Sequence, residues 1–428
     1  MADWVARDAA VVWHGFTQMS CYAENEPIIV ERAEGREIID IDGRRYLDAI
    51  SSLWVTTLGH RVPELDDALR RQLDLVAHST MLGNGNRVVI ELAEALADVV
   101  PVDRPHFLFA SDGASAIEQA LKIAFQYWAN QGDTARTGYL AFGGAYHGDT
   151  VGGLSLGAGG FGSDVFDPLR FPVVRAPAFG EPGCFDTARG LIDEHRAGLA
   201  AVVVEPLVQG AAGMQLCEPG DIAGLAEACA DAGVLLICDE VATGFGRTGT
   251  LFASEQCGIQ PDVLCLGKGL TGGYLPMSVT VATEAVYDAF LGPDLSAKTF
   301  FHGHSFGGNA LAAAVAHRHL ELLREASVLE NVRARSAQLR TLLEDCVGSL
   351  KAVAAVRLRG LMGGVELAPP RDGLGWGRKV CAAAVRRGVL LRPLGDVVVL
   401  MPPLTITAEE IERIVDTLTG AIAEVTAS

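Results

Sequence analysis

Six short, almost wholly apolar runs constrain the fold of this chain more than any other feature. They are FLFA (107–110), YLAF (139–142), AVVVE (201–205), VLLIC (234–238), VLCLG (263–267) and SVTVA (278–282). Such runs suit strands that are covered on both faces, and segments with a helical pattern separate them. We therefore expect an α/β fold in which helices cover a mostly parallel sheet.

The two ends of the chain have a different pattern. Residues 28–48 alternate apolar and polar residues around two glycine turns, which predicts an antiparallel hairpin or meander. The helix-rich stretch after 308 indicates a smaller α+β domain, and the glycines between Gly152 and Gly162 indicate a mobile segment. The expected parts are an N-terminal segment that joins the small domain (1–58), a large domain (59–307) and a C-terminal small domain (308–428).

Charge and composition narrow the class of protein. The 428 residues are 49% hydrophobic, and their formal charge of −19 would repel a nucleic acid or a phospholipid surface. The start, MADWVARDAAVVWHG, lacks the pattern of a signal peptide, and no apolar run approaches the roughly 20 residues of a membrane span. The nine scattered cysteines favour reduced, buried thiols. We expect a soluble, cytoplasmic protein without nucleic-acid or membrane partners.

Lys268 lies directly after an apolar strand, in DVLCLGKGLTGG. Its flanking glycines let another molecule approach the backbone, and burial lowers the pKa of an amine toward a nucleophilic free base. The alternative is a strand-end lysine whose amine reaches solvent.

Asp239 and Glu240 follow the preceding strand, VLLIC. A carboxylate at this place can keep a pyridine ring nitrogen protonated, whereas a pair of capping or ion-paired acids is the alternative. Because Asp239 and Lys268 end consecutive strands, they can face one cofactor together.

Two loops supply further groups. Between FLFA and the next helix, residues 111–113 (SDG) present free N–H groups at the positive end of the helix dipole, which suits a phosphate as well as an ordinary cap. In GGAYHGDT, either Tyr146 or His147 can stack on a flat ring, or the loop is a plain turn.

Two other motifs lack the surrounding sequence that their usual functions require. Residues 244–249 spell G-x-G-x-x-G, but DEVAT separates them from the strand, which argues against a nicotinamide dehydrogenase. Residues 303–307 spell the G-x-S-x-G of serine hydrolases, but the last histidines, His317 and His319, come too early for that fold.

Taken in order, these segments resemble the class III, pyridoxal-5'-phosphate (PLP)-dependent aminotransferases over essentially the whole chain. The likeness is greatest to the branch that aminates 8-amino-7-oxononanoate to 7,8-diaminononanoate in biotin synthesis. It implies PLP fold type I, with a mostly parallel seven-stranded sheet, and ping-pong transamination. The segments that carry it are WHGFTQM, SSLWVTTLGH, YHGDT, EPLVQGAAGM, DEVATGFGRTG, GKGLTGGYLP, FFHGHSFGGN, LLRPLG and LMPP.

The resemblance also implies roles. Lys268 would carry PLP as a Schiff base and move the proton, and Asp239 would pair with the pyridinium nitrogen. Gly113 and Ala114 would bind the phosphate, and Tyr146 would stack on the ring. The loop with His304 and Ser305 would reach the phosphate of a neighbouring subunit, which implies a homodimer with shared sites. The implied substrate residues are Phe16, Leu53, Trp54, Tyr146, Arg247, Gly303 and Arg392, of which Arg392 would hold the carboxylate of the oxo-acid.

Some positions depart from the branch that uses S-adenosylmethionine as amino donor. Leu53 replaces a tryptophan, Phe16 and Val399 replace tyrosines, and the phosphate loop reads GA rather than GS. The segments FTQM and KTFFHGHS resemble a branch that uses lysine. Our hypothesis is an intact acceptor site with lysine as donor. The alternative is a class III ω-aminotransferase for another diamine or amino acid.

Overall fold

The computed structural model describes residues 1–158, 163–325, 327–371 and 373–427. Residues 159–162, at the end of the glycine-rich segment for which mobility was expected, lie outside the described residues. The helices are α1 (Ala2–Val11), α2 (Ser51–Trp54), α3 (Pro63–Leu73), α4 (Arg87–Ala97), α5 (Gly113–Asn130), α6 (Val151–Leu156), α7 (Cys184–His195), α8 (Pro219–Ala232), α9 (Ala253–Cys257), α10 (Glu284–Asp288), α11 (Ala310–Arg324), α12 (Ser327–Leu342), α13 (Trp376–Arg386) and α14 (Ala408–Thr426). The strands are β1 (Val30–Glu34), β2 (Glu37–Asp40), β3 (Arg45–Asp48), β4 (His106–Ala110), β5 (Gly138–Phe142), β6 (Val174–Ala176), β7 (Leu199–Val204), β8 (Val208–Gln209), β9 (Gln215–Leu216), β10 (Leu235–Asp239), β11 (Val263–Leu266), β12 (Ser278–Ala282), β13 (Val353–Arg359), β14 (Met362–Leu367), β15 (Val389–Leu390), β16 (Arg392–Leu394) and β17 (Val397–Leu400).

Seven strands form the central sheet, in the order β4-β12-β11-β10-β7-β5-β6. Strand β12 runs antiparallel to both its neighbours, and the other pairs are parallel. Alternate residues of a strand enter separate apolar cores: Ile237 packs in the same core as Ile117 of α5, and Leu236 packs in the other core. Burial on both faces explains why these strands are apolar throughout. The predicted fold class is confirmed.

Two smaller sheets contain the predicted N-terminal meander and the C-terminal strands. The first has the order β1-β2-β3-β15, and the second has the order β13-β14-β17-β16. Strand β15 pairs in parallel with β3, with Val389 opposite Leu47, so a strand from the end of the chain completes the N-terminal sheet. The domain boundaries at 58 and 307 stay a prediction.

Two statements from composition can be compared with the structure. All nine cysteines are free thiols, and seven of them are buried. No helix within the described ranges combines the length and the apolar composition that crossing a membrane requires.

Candidate active site

The carboxyl ends of β10 and β11 bring the two main predicted residues to one cavity. The strands are adjacent and parallel, with Asp239 opposite Cys265, so Lys268 follows β11 at the same edge of the sheet. The cavity measures about 460 Å³, and Gly113, Ala114 and Tyr146 also line it. Five residues predicted for the cofactor therefore converge.

Lys268 occupies a tight turn that brings its amine inside the protein. Its φ of 39° lies in the left-handed region, and its Nζ atom lies 5.0 Å from the centroid of the Trp54 ring. A Cβ atom at Gly269 would lie 3.0 Å from Cβ of Phe245, so the glycine permits this close turn. Burial lowers the pKa of Lys268, although the nearby carboxylates of Asp239 and Glu205 oppose this shift.

Asp239 is held in place by His147, one of the two residues predicted as candidates for ring stacking. Nδ1 of His147 lies 2.7 Å from Oδ2 of Asp239, and the N–H group of Val241 donates to Oδ1 at 3.0 Å. Because a carboxylate can only accept, Nδ1 of His147 carries the hydrogen. Nε2 of His147 is buried and has no partner among the described residues.

The start of α5 forms an anion cradle. The side chain of Asp112 caps the helix by accepting from the N–H group of Ser115 at 2.9 Å. The N–H groups of Gly113 and Ala114 precede the first possible intrahelical acceptor, so they point out of the helix at its positive end. A Cβ atom at Gly113 would lie 2.6 Å from Cγ1 of Val241, so a side chain there would close the cradle.

Glu205 is a residue of the site to which the sequence analysis gave no role. Its two carboxyl oxygens accept from the N–H groups of Tyr146 and Gly210, each at 3.1 Å, and it lines the cavity. Burial raises the pKa of Glu205 to about 7. Its place at the end of AVVVE, beside the strand that ends in Asp239, was the signal that could have identified it.

Tyr146 is anchored at both ends. Besides its backbone contact with Glu205, its hydroxyl donates to Oδ2 of Asp149 at 3.0 Å. Burial, and then the charge of Asp149, raise the pKa of Tyr146 well above its ordinary value. The phenol therefore stays neutral, and its ring forms part of the cavity wall.

A second cavity of about 820 Å³ continues the first. It shares Trp54, Tyr146 and Lys268 with the first cavity. The rest of its wall includes three further predicted substrate residues, Phe16, Leu53 and Arg392. Arg392 lies on β16, opposite Val399 of β17. Val399, which replaces a tyrosine of the related branch, is fully buried and lines neither cavity.

Arg247, a predicted substrate residue, lines neither cavity. It is fully buried and donates to the carbonyl oxygens of Pro402 at 2.6 Å and Thr56 at 2.9 Å. Its guanidinium thus joins the N-terminal and C-terminal segments behind the site. Burial lowers the pKa of Arg247 to about 9.

The loop with Gly303, His304 and Ser305 also lies outside both cavities of its own chain. Nε2 of His304 lies 3.2 Å from Nε2 of His302, and the other ring nitrogen of His302, Nδ1, lies 2.9 Å from Nζ of Lys122. In the described stretch 163–325, no strand leads into Ser305, which agrees with the argument against a serine hydrolase.

Comparisons with known proteins define the class. The family model for class III aminotransferases matches residues 19–422, so the chain belongs to that family. It is therefore a PLP-dependent transaminase with small-molecule substrates, and its fold is PLP fold type I.

Several relatives have more specific names. The chain is 48% identical to the adenosylmethionine-8-amino-7-oxononanoate aminotransferase of Nitratidesulfovibrio vulgaris, over 98% of this chain and 81% of the relative. It is 42% identical to the protein of that name from Aquifex aeolicus, over 97% and 96%. The crystal structure of that aminotransferase from Methanocaldococcus jannaschii matches with a TM-score of 0.96 at 39% identity, over 99% of both chains. A PLP-bound amine transaminase from an uncultivated Pseudomonas species matches with a TM-score of 0.91 at 32% identity, over 97% and 98%.

The residues present fit PLP. The cradle at Gly113 and Ala114 suits a phosphate, Asp239 suits a pyridine nitrogen, and the amine of Lys268 suits the aldehyde. All of them line one cavity of about 460 Å³.

Proposed function

We propose that this chain transfers an amino group to 8-amino-7-oxononanoate and forms 7,8-diaminononanoate, a step of biotin synthesis. The observation that carries the proposal is the continuous cavity that leads from Lys268 to Arg392. A nucleophilic amine at one end and a guanidinium at the other suit an oxo-acid whose ketone and carboxylate are separated by methylene groups. The names of the relatives support the same acceptor.

Each residue has a chemical role in this proposal. PLP supplies, when bound, an electron-withdrawing ring that stabilises negative charge on the substrate carbon. Lys268 takes the proton from that carbon and later returns it, because burial favours its free amine. Asp239 keeps the ring nitrogen protonated, and the N–H groups of Gly113 and Ala114 bind the phosphate. The kinetics are ping-pong, because the enzyme retains the amino nitrogen of the donor until the acceptor binds.

The walls of the second cavity suit the rest of the acceptor. Phe16 and Leu53 line it with exposed apolar surface that can cover methylene groups. Arg392 offers a planar donor pair for the terminal carboxylate. Arg247 has no direct contact with substrate in this proposal, because its donors hold backbone carbonyls.

The amino donor is either lysine or S-adenosylmethionine. Phe16 and Leu53 favour lysine, because an apolar wall lacks the hydroxyl and indole groups expected for the other donor. The relatives, in contrast, are named for adenosylmethionine. Of the two, we propose lysine.

Absorbance titration of the PLP-loaded protein tests both parts of the proposal. Each donor is added separately, loss of the visible band is followed, and 8-amino-7-oxononanoate is then added to restore the band. Bleaching by lysine and recovery with the oxo-acid are expected. Loss of the visible band with S-adenosylmethionine alone would contradict lysine as the amino donor. If the oxo-acid did not restore the band, it would not be the acceptor.

A class III ω-aminotransferase for another amine is the alternative, and the likeness to an amine transaminase favours it. Arg392→Ala separates the two. In the proposed enzyme this variant loses turnover of the oxo-acid and keeps turnover of uncharged ketones, whereas an enzyme for simple amines is unaffected.

We further propose a homodimer with shared active sites. Gly303, His304 and Ser305 lie outside the cavities of their own chain, as residues that serve a neighbouring site would. Phe301 and Phe306 of the same loop are 67% and 61% exposed, which suits an interface. Sedimentation of the PLP-loaded protein should give twice the chain mass of 45.1 kDa, and a monomer would contradict the proposal.

The cytoplasmic location also stays a prediction.

A further inference from the structure

The far wall of the second cavity contains a second arginine, Arg378, besides Arg392. Arg378 lies in the first turn of α13, next to the turn between β16 and β17. The N–H group of Gly377 donates to Oδ1 of Asp396 at 2.9 Å, and a Cβ atom at Gly377 would lie 2.2 Å from the carbonyl oxygen of Gly395. Only glycine allows this approach, which holds the start of α13 against the strand that bears Arg392.

Both arginines lack a carboxylate partner among the described residues. Arg386 and Arg387, at the other end of α13, each form an ion pair with Glu424. Arg378 and Arg392 form no ion pair within the ranges that the structure describes, although both line the same cavity. The nearby acid, Asp396, already accepts from the backbone of α13. Two arginines that line one cavity and form no ion pair with a described residue suit an anion as ligand.

We propose that Arg378 is a second carboxylate-binding residue, which acts with Arg392 on the terminal carboxylate of the oxo-acid. This inference rests on the proposed function. A single guanidinium at an open cavity holds a carboxylate weakly because water screens the pair, and a second donor group raises the affinity. Arg378 thus selects acceptors with a terminal carboxylate over plain ketones and contributes no step to proton transfer.

The experiment compares Arg378→Gln with the matched control Lys379→Gln, which removes the same charge from the next residue of α13, outside the cavity. The first readout is the dissociation constant of nonanoate, a nine-carbon carboxylate that cannot react, measured by calorimetry on the PLP-loaded protein. The second is KM for 8-amino-7-oxononanoate, with 2-nonanone as the acceptor without a carboxylate.

We expect Arg378→Gln to weaken nonanoate and raise KM about tenfold, with kcat and the 2-nonanone reaction unchanged. Arg378→Lys should recover part of the affinity, and Lys379→Gln should match the wild type. Equal affinity for nonanoate in Arg378→Gln and the wild type, or equal losses in both glutamine variants, would overturn the inference. Failure of the wild type to aminate the oxo-acid would overturn the proposed function instead, since nonanoate binding reports on Arg378 separately.

Discussion

Nδ1 of His147 lies 2.7 Å from Oδ2 of Asp239, and this contact links the loop that bears Tyr146 to the carboxylate proposed for the cofactor ring. Both side chains are almost fully buried. The carboxylate is therefore oriented before any ligand binds, and only its remaining lone pairs face the cavity.

Loss of this hydrogen bond should weaken cofactor binding. His147→Ala removes a bond to a buried carboxylate worth about 1.5–3 kcal/mol, so the dissociation constant of PLP should rise at least about tenfold. His147→Asn is the matched control, because its amide nitrogen occupies the place of Nδ1 and can donate to Asp239. Fluorescence titration with PLP measures both variants, and equal affinities for the two would contradict the assignment.

Glu205 should make stability depend on pH. The fold raises its pKa from 4.5 to about 7, so the folded state binds the proton more tightly than the unfolded state between these values. The tighter proton binding adds about 3 kcal/mol to the free energy of unfolding at low pH, and this contribution is lost as the pH rises from 4.5 to about 7. The side chain in Glu205→Gln cannot ionise. The difference in stability between this variant and wild type should therefore increase, in favour of the variant, from pH 5 to pH 8.

Thermal unfolding of the PLP-free protein at the two pH values tests this. Glu227→Gln, a change at an exposed position of α8, is the control for loss of one carboxyl group. A constant difference in Tm between Glu205→Gln and wild type across the range would refute the buried-carboxyl argument.

The phosphate cradle should tolerate no side chain at Gly113 unless Val241 is shortened. In Gly113→Ala, the new Cβ atom meets Cγ1 of Val241 at 2.6 Å, so the start of α5 must shift and PLP should bind at least about tenfold more weakly. Val241→Ala removes the clashing atoms, so the double variant should regain most of the affinity. Additive losses in the double variant would show that the close contact is not the cause.

Arg247 should contribute to stability through the two backbone carbonyls that it holds. Arg247→Met leaves the carbonyl oxygens of Thr56 and Pro402 without their buried donors, at a cost of about 2–4 kcal/mol. The Tm of Arg247→Met should fall clearly below that of wild type, and the Tm of Arg247→Lys should fall less. Arg333→Met, on the exposed face of α12, should leave Tm unchanged. A Tm of Arg247→Met equal to that of wild type would rule out this joining role.

Much of the site could be predicted because strand ends are readable in the sequence. Lys268 and Asp239 each follow an apolar run, and parallel neighbouring strands place such residues at one edge of the sheet. The strand followed by a small-residue helix start is also a local pattern, and it indicated the loop that contains Gly113, whereas Ala114 was implied only by the family resemblance.

Contacts between distant segments could not be predicted. His147 was expected at most to stack on a ring, and only the packing of its loop against β10 directs it to Asp239, 92 residues later. Arg247 resembled a residue that borders the substrate, but the fold surrounds it with backbone from residues 56 and 402.

The sequence by itself thus determined the α/β class, the apolar strands of the central sheet and the position of Lys268 at the end of a strand, because periodicity and strand-end position are local properties. Only the tertiary structure decided which donors orient Asp239, why Glu205 holds its proton near neutral pH, and that Arg378 shares a cavity with Arg392. These properties depend on burial and on distances between residues far apart in the chain, which no local pattern encodes.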